Sequence, residues 1–149
     1  MFVHPKCPCS RASLSELNII MNADRDESSA VVVFLRPGGV EANWERTDTW
    51  TSAGIIPRAT RVVDVDGVEA KRFGALSSGQ VVLYDASGHL RFSGGITGSR
   101  GHAGDNVGRR TVLALLANAP TDQHEHAVYG CAMDESSGSA KDAGVADEE

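Results

Sequence analysis

Along residues 10–22 the apolar side chains Leu14, Leu17, Ile20 and Met21 recur at the spacing of one helical face, which predicts a helix there. The rhythm then changes. A polar turn over residues 24–29 is followed by an unbroken apolar run, Ala30-Val-Val-Val-Phe-Leu35, which Pro37-Gly38-Gly39 stops. Such a run, bounded by turn signals, predicts a parallel strand buried on both faces. Residues 43–53 predict a helix carrying Trp44 and Trp50, against the low propensity of Thr47, Thr49 and Thr51. Residues 61–64 suit a short strand, and Asp66-Gly67-Val68 opens a helix of one or two turns reaching about Phe73. Residues 80–84, the turn Asp85-Ala-Ser-Gly88 and residues 89–93 form a strand–turn–strand unit. A glycine-rich loop over residues 94–104 leads to Asp105 or Asn106, either of which caps a last helix that turns Val112, Leu115 and Leu116 inward.

At the start, residues 1–4 suit a strand, and Pro8 fits the first position of the following helix, where its missing N–H costs nothing. Only Met1, Phe2 and Val3 precede His4-Pro5, whereas a central strand has about five or six residues. We therefore expect a truncated first strand, and a full-length form that is periplasmic or membrane-anchored stays open.

Length and charge refine the division. At 149 residues the chain suits one domain, with Pro120 closing its periodic part. Residues 1–119 carry 13 Lys and Arg against 12 Asp and Glu, a net charge of +1, while residues 120–149 carry Lys141 against eight acids, a net of −7. We expect a domain over residues 1–119, an apolar-containing segment over 120–133 that can dock on it, and an acidic disordered tail over 134–149. The near-neutral domain offers no basic face for nucleic acid. No apolar run approaches the ~20 residues of a membrane-spanning helix, and no signal peptide is visible.

The chemistry concentrates at Cys7-Pro8-Cys9-Ser10. A cysteine at a helix start faces unpaired backbone N–H groups and the positive end of the helix dipole, which favour its reactive thiolate. Cys7 is thus the candidate nucleophile, exposed and capping the helix, with Ser10 in the first turn and Lys6 and Arg11 adding positive charge. Cys9, two residues on, either forms a strained, easily reduced disulfide with Cys7 or packs as a small apolar residue. Cys131 ends the apolar patch His126-Ala-Val-Tyr-Gly-Cys131. It either docks at the corner as a resolving thiol or stays unpaired. His124, His126 and Cys131 are either metal ligands or solvated side chains, and His4 can serve as ligand, base or thiolate partner.

Further motifs complete the picture: His4-Pro5-x-Cys7-Pro8-Cys9-Ser10-Arg11-Ala12-Ser13, Ser78-Gly79-x-Val-x-Leu-Tyr-Asp85 and a stretch from Gly94-Gly95-Ile96-Thr97 through Arg100-Gly101-His102 to Gly108-Arg109. With the order strand, helix, strand, helix, hairpin, helix, they resemble the thioredoxin-like superfamily, and within it a bacterial group labelled RedB-like. The resemblance implies an α/β thioredoxin-like fold with a central mixed four-stranded sheet flanked by helices. It also implies that the 94–106 loop borders the cysteine corner, so that Ser78, Gly79, Gly95, Thr97, Arg100 and His102 bind substrate. Two departures stand out. Ser10 occupies the place of the second cysteine of a C-x-x-C pair, and Gly79 that of the proline facing the active cysteine.

The function so implied is a thiol–disulfide oxidoreductase that needs no cofactor. Cys7 attacks a disulfide-bearing protein or small thiol partner, and Cys9 or Cys131 resolves the mixed disulfide. The alternatives are a metal or iron–sulfur module built on Cys7, Cys9 and His4, and a non-catalytic interaction domain.

Overall fold

The computed structural model describes residues 1–25 and 28–134, so the tail expected to be disordered lies, apart from Asp134, outside the described residues. Strand β1 (Phe2–Val3) leads through helix α1 (Ser10–Ala23) to β2 (Ala30–Arg36), and helix α2 (Asp48–Gly54) carries the chain on to β3 (Ala59–Val65). A short helix α3 (Val68–Arg72) precedes the hairpin β4 (Val81–Tyr84) and β5 (Leu90–Gly94), followed by α4 (Val107–Leu116) and β6 (Glu125–His126).

The strands form two three-stranded sheets, β1-β2-β3 and β4-β5-β6. This corrects the single four-stranded sheet expected from the sequence. Both pairings in the first sheet are parallel, with Val33 opposite Phe2 and Val62. In the second, β4 and β5 are antiparallel and β6 adds in parallel to β5. Where the sheets meet, Phe2 N–H donates to the Gln80 carbonyl at 2.9 Å and Gly79 N–H donates to the Phe2 carbonyl at 2.8 Å. The seam is thin because β1 has two residues to offer.

Alternation along β2 builds a core on each face of the first sheet. Val32 and Phe34 join Leu14, Leu17, Ile20, Phe92, Ile96 and Val112 in the larger core under α1 and α4. Val33 and Leu35 point the other way, to Phe2, Ala70, Ala75 and Met133. Burial on both sides thus explains the apolar run over residues 32–35, while Val31 is exposed. Helix α2 is shorter than the sequence suggested. It begins only after Thr47, because Thr47 and Thr49 turn their hydroxyls to the Pro5 carbonyl, at 2.8 and 3.3 Å, rather than extending the helix backward. Asn106 caps α4, its side chain accepting from Arg109 N–H at 2.9 Å. Among the described residues no helix is long and apolar enough to cross a membrane.

Candidate functional site

The corner that carries Cys7 is a chain of tight turns ahead of α1. Cys7 N–H donates to the His4 carbonyl and Ser10 N–H to the Cys7 carbonyl, both at 3.1 Å. The helix therefore starts at Ser10 with Cys9 in the N-cap place, two residues later than Pro8 suggested. Ser10 Oγ lies 3.2 Å from the His4 carbonyl and 2.8 Å from Ser78 Oγ, and His4 N–H donates to that same Ser78 hydroxyl at 2.9 Å. Two serines thus tie the corner to the segment before β4.

Cys7 is buried, with 2% of its surface exposed, which corrects the exposed thiol expected from the sequence. The cover comes from 124 residues away: Cys131 N–H donates to Cys7 Sγ at 3.2 Å. The segment around Cys131 is extended along the chain just before β4. Ser78 N–H donates to the Cys131 carbonyl at 2.7 Å, Met133 N–H to the Leu76 carbonyl at 2.9 Å, and Ser77 pairs antiparallel with Ala132. A Cβ on Gly130 would overlap the Ser78 carbonyl, so only glycine allows this approach. Upstream, Gly95 N–H donates to the His126 carbonyl at 3.2 Å, and a Cβ there would strike the Ala127 carbonyl.

All three cysteines are free thiols. Burial pushes the Cys7 thiol up, but hydrogen bonds from the Cys131 thiol and amide, the Cys9 amide and the Ser10 hydroxyl bring it below its ordinary value. Burial and the adjacent Cys7 raise Cys131 to about 11. The pair is therefore ordered: Cys7 ionises first, and Cys131 keeps its proton and donates it toward the Cys7 sulfur. Arg100 Nη2 lies 3.8 Å from Cys131 Sγ, and its guanidinium is held more firmly charged by Cys9, then by Cys131 and Cys7.

Lys6 and Arg11, expected to stabilise the thiolate by charge, face elsewhere. The Lys6 ammonium sits 4.6 Å from the Trp44 ring centroid, and Arg11 pairs with Asp48 at 2.5 Å. The groups that lower the Cys7 thiol against its burial are instead the hydrogen bonds from Cys131, Cys9 and Ser10. Of the six residues expected to bind substrate, Ser78 and Gly95 bond the chain's own C-terminal segment, and Gly79 bonds Phe2. Thr97 is buried, His102 is exposed with its amide on the Ser99 carbonyl, and Arg100 reaches the cysteines. Among the described residues no three His, Cys, Asp or Glu side chains are grouped as metal ligands. The set Cys7, Cys9 and His4 is not assembled, and the His4 ring lies edge-on to Trp44 with centroids 5.7 Å apart.

Sequence reasoning passed over Glu16 and Arg109. Glu16 is fully buried on α1, accepting from Gly104 N–H at 2.6 Å and from Arg109 at 2.7 Å. This ion pair pins the glycine-rich loop, and with it Arg100, against the helix that follows Cys7. Position 16 lies off the stripe of Leu14, Leu17, Ile20 and Met21, so no local pattern signalled its burial.

No protein-family model matches the chain, and no curated protein matches it. Among solved structures it is similar to an uncharacterized conserved protein from Geobacillus kaustophilus, with a TM-score of 0.68 and 18% identity over 89% of this chain and 74% of that one. That likeness supports a shared fold.

Proposed function

We propose that this protein is a thioredoxin-like thiol–disulfide oxidoreductase with Cys7 as nucleophile and Cys131 as resolving thiol. The reading is carried by one observation: Cys131, from the far end of the chain, donates its amide to Cys7 Sγ at 3.2 Å. The ordered ionisation of the two thiols supports it, because a thiolate attacks and a thiol next to it can be activated afterwards.

In the first step the Cys7 thiolate attacks one sulfur of a substrate disulfide. A bond forms from Cys7 to that sulfur, the substrate S–S bond breaks, and the electron pair leaves on the second sulfur. Cys7 then carries no negative charge, so the thiolate next to Cys131 that raised its pKa is gone. Cys131 gives its proton to the thiolate already released and attacks Cys7 Sγ; the Cys7–Cys131 bond forms, the Cys7–substrate S–S bond breaks, and its electron pair leaves on the substrate sulfur. An external dithiol returns the pair to the reduced state. Arg100 stabilises the Cys131 thiolate as it forms. Cys7–Cys131 closure needs no opening of α1, whereas a Cys7–Cys9 bridge would span two residues at the helix start.

Turnover of a small disulfide with dithiothreitol as reductant tests the scheme. Cys7→Ser should abolish it. With dithiothreitol left out, Cys131→Ser should permit the first attack and stall as a mixed disulfide; with it present, Cys9→Ser should retain most activity. Full turnover by Cys7→Ser would overturn the reading.

A further inference from the structure

We propose that the substrate of this site is an extended polypeptide carrying cysteine directly after glycine and an apolar residue two positions beyond, and that residues 129–133 occupy its place in cis. The inference rests on Cys7 being the nucleophile. The chain's own Tyr129-Gly130-Cys131-Ala132-Met133 lies as an added strand on the stretch before β4, through the Ser78–Cys131 and Met133–Leu76 backbone bonds. Backbone pairing holds any sequence, so selectivity falls to the side chains.

Three positions are constrained. The cysteine must sit where Cys131 does, with its amide on Cys7 Sγ. The residue before it must lack a Cβ, since that atom would overlap the Ser78 carbonyl. The residue two beyond lies on the same face of the strand as the cysteine; here Met133 is buried with Leu35, Ala70 and Ala75, so an apolar chain is required. A polypeptide meeting these demands displaces the resident segment and presents its own sulfur to Cys7, and Cys131 attacks Cys7 Sγ only when the segment returns to its place.

The full chain bearing Cys131→Ser, and separately the reduced wild-type chain, would be mixed with the peptide His-Ala-Val-Tyr-Gly-Cys-Ala-Met whose cysteine is joined to thionitrobenzoate as a mixed disulfide. Cys7 attacks the peptide sulfur, the new S–S bond joins protein to peptide, and thionitrobenzoate leaves as a coloured thiolate that reports the rate. Peptides with Ala for the Gly, and Asp for the Met, serve as comparisons. Each should react about tenfold or more slowly, as an overpacked or mismatched contact costs. Equal rates for all three peptides would overturn this inference and leave the assignment of Cys7 standing. Release from none of them, with the Cys7 thiol shown intact by titration in denaturant, would overturn both.

Discussion

Two segments meet at Cys7, and different forces hold them. The corner over residues 4–10 is tied by turns of its own backbone, by Thr47 and Thr49 on the Pro5 carbonyl, and by the Ser10–Ser78 hydroxyl pair. It continues directly into α1, whose Leu14, Leu17 and Ile20 lie in the larger core. The segment over residues 125–133 is held by backbone bonds along the edge of β5 and the stretch before β4, with Met133 as its buried apolar anchor. One sulfur lies on the element that continues into the larger core, and the other on a segment held along an edge by backbone bonds and Met133. That asymmetry suits the roles proposed for Cys7 and Cys131, because a mixed disulfide would need room that the closed arrangement does not leave.

The sharpest contrast lies in chemistry. Cys7→Ser should lower disulfide turnover roughly 1000-fold or more, the scale of losing a nucleophile. Cys9→Ser should change it only severalfold, although Cys9 stands two residues away.

Stability should separate the regions next. Glu16→Ala leaves Arg109 largely buried beside α1 with only its 3.5 Å contact to Asp105, and should cost about 3 kcal/mol in denaturant unfolding. Met133→Ala removes the anchor of the outer segment and should cost about 2–3 kcal/mol, at the low end for such truncations. Its signature should be local: faster amide exchange at residues 125–133 with α1 amides changed far less. A uniform rise in exchange would show that the segment is part of the global cooperative unit.

The smallest effect is on protonation. Alkylation of Cys7 should rise with pH at a midpoint below that of an ordinary thiol, because the folded site favours its thiolate. Cys131 should follow only near pH 11 while Cys7 remains a neighbouring thiolate. Gly130→Ala, by forcing the strand off the Ser78 carbonyl, should bring the two midpoints together and speed Cys7 labelling. Midpoints already equal in the unmodified protein would remove the basis for ordered ionisation.

These contrasts also mark what the sequence could disclose. Period and turn residues located α1, β2, the β4–β5 hairpin and α4, since those features are local. The corner was legible for the same reason: Pro8, Cys9 and Ser10 are adjacent to Cys7. The burial of Cys7 was not, because the covering residues lie 124 positions away. Lys6 and Arg11 were misjudged because proximity in sequence says nothing of Trp44 and Asp48, which claim their charges. Gly95 in the glycine-rich loop suggested room for a ligand, and the space is taken by the backbone of residues 126–128. The short β1 likewise hid the division into two sheets.

The most direct test of the account is which disulfide forms. Stoichiometric oxidation of the reduced protein at neutral pH, followed by proteolysis and mass mapping under non-reducing conditions, reads the linkage itself. The account predicts a Cys7–Cys131 bridge with Cys9 left as a free thiol. A Cys7–Cys9 bridge with Cys131 free would contradict it.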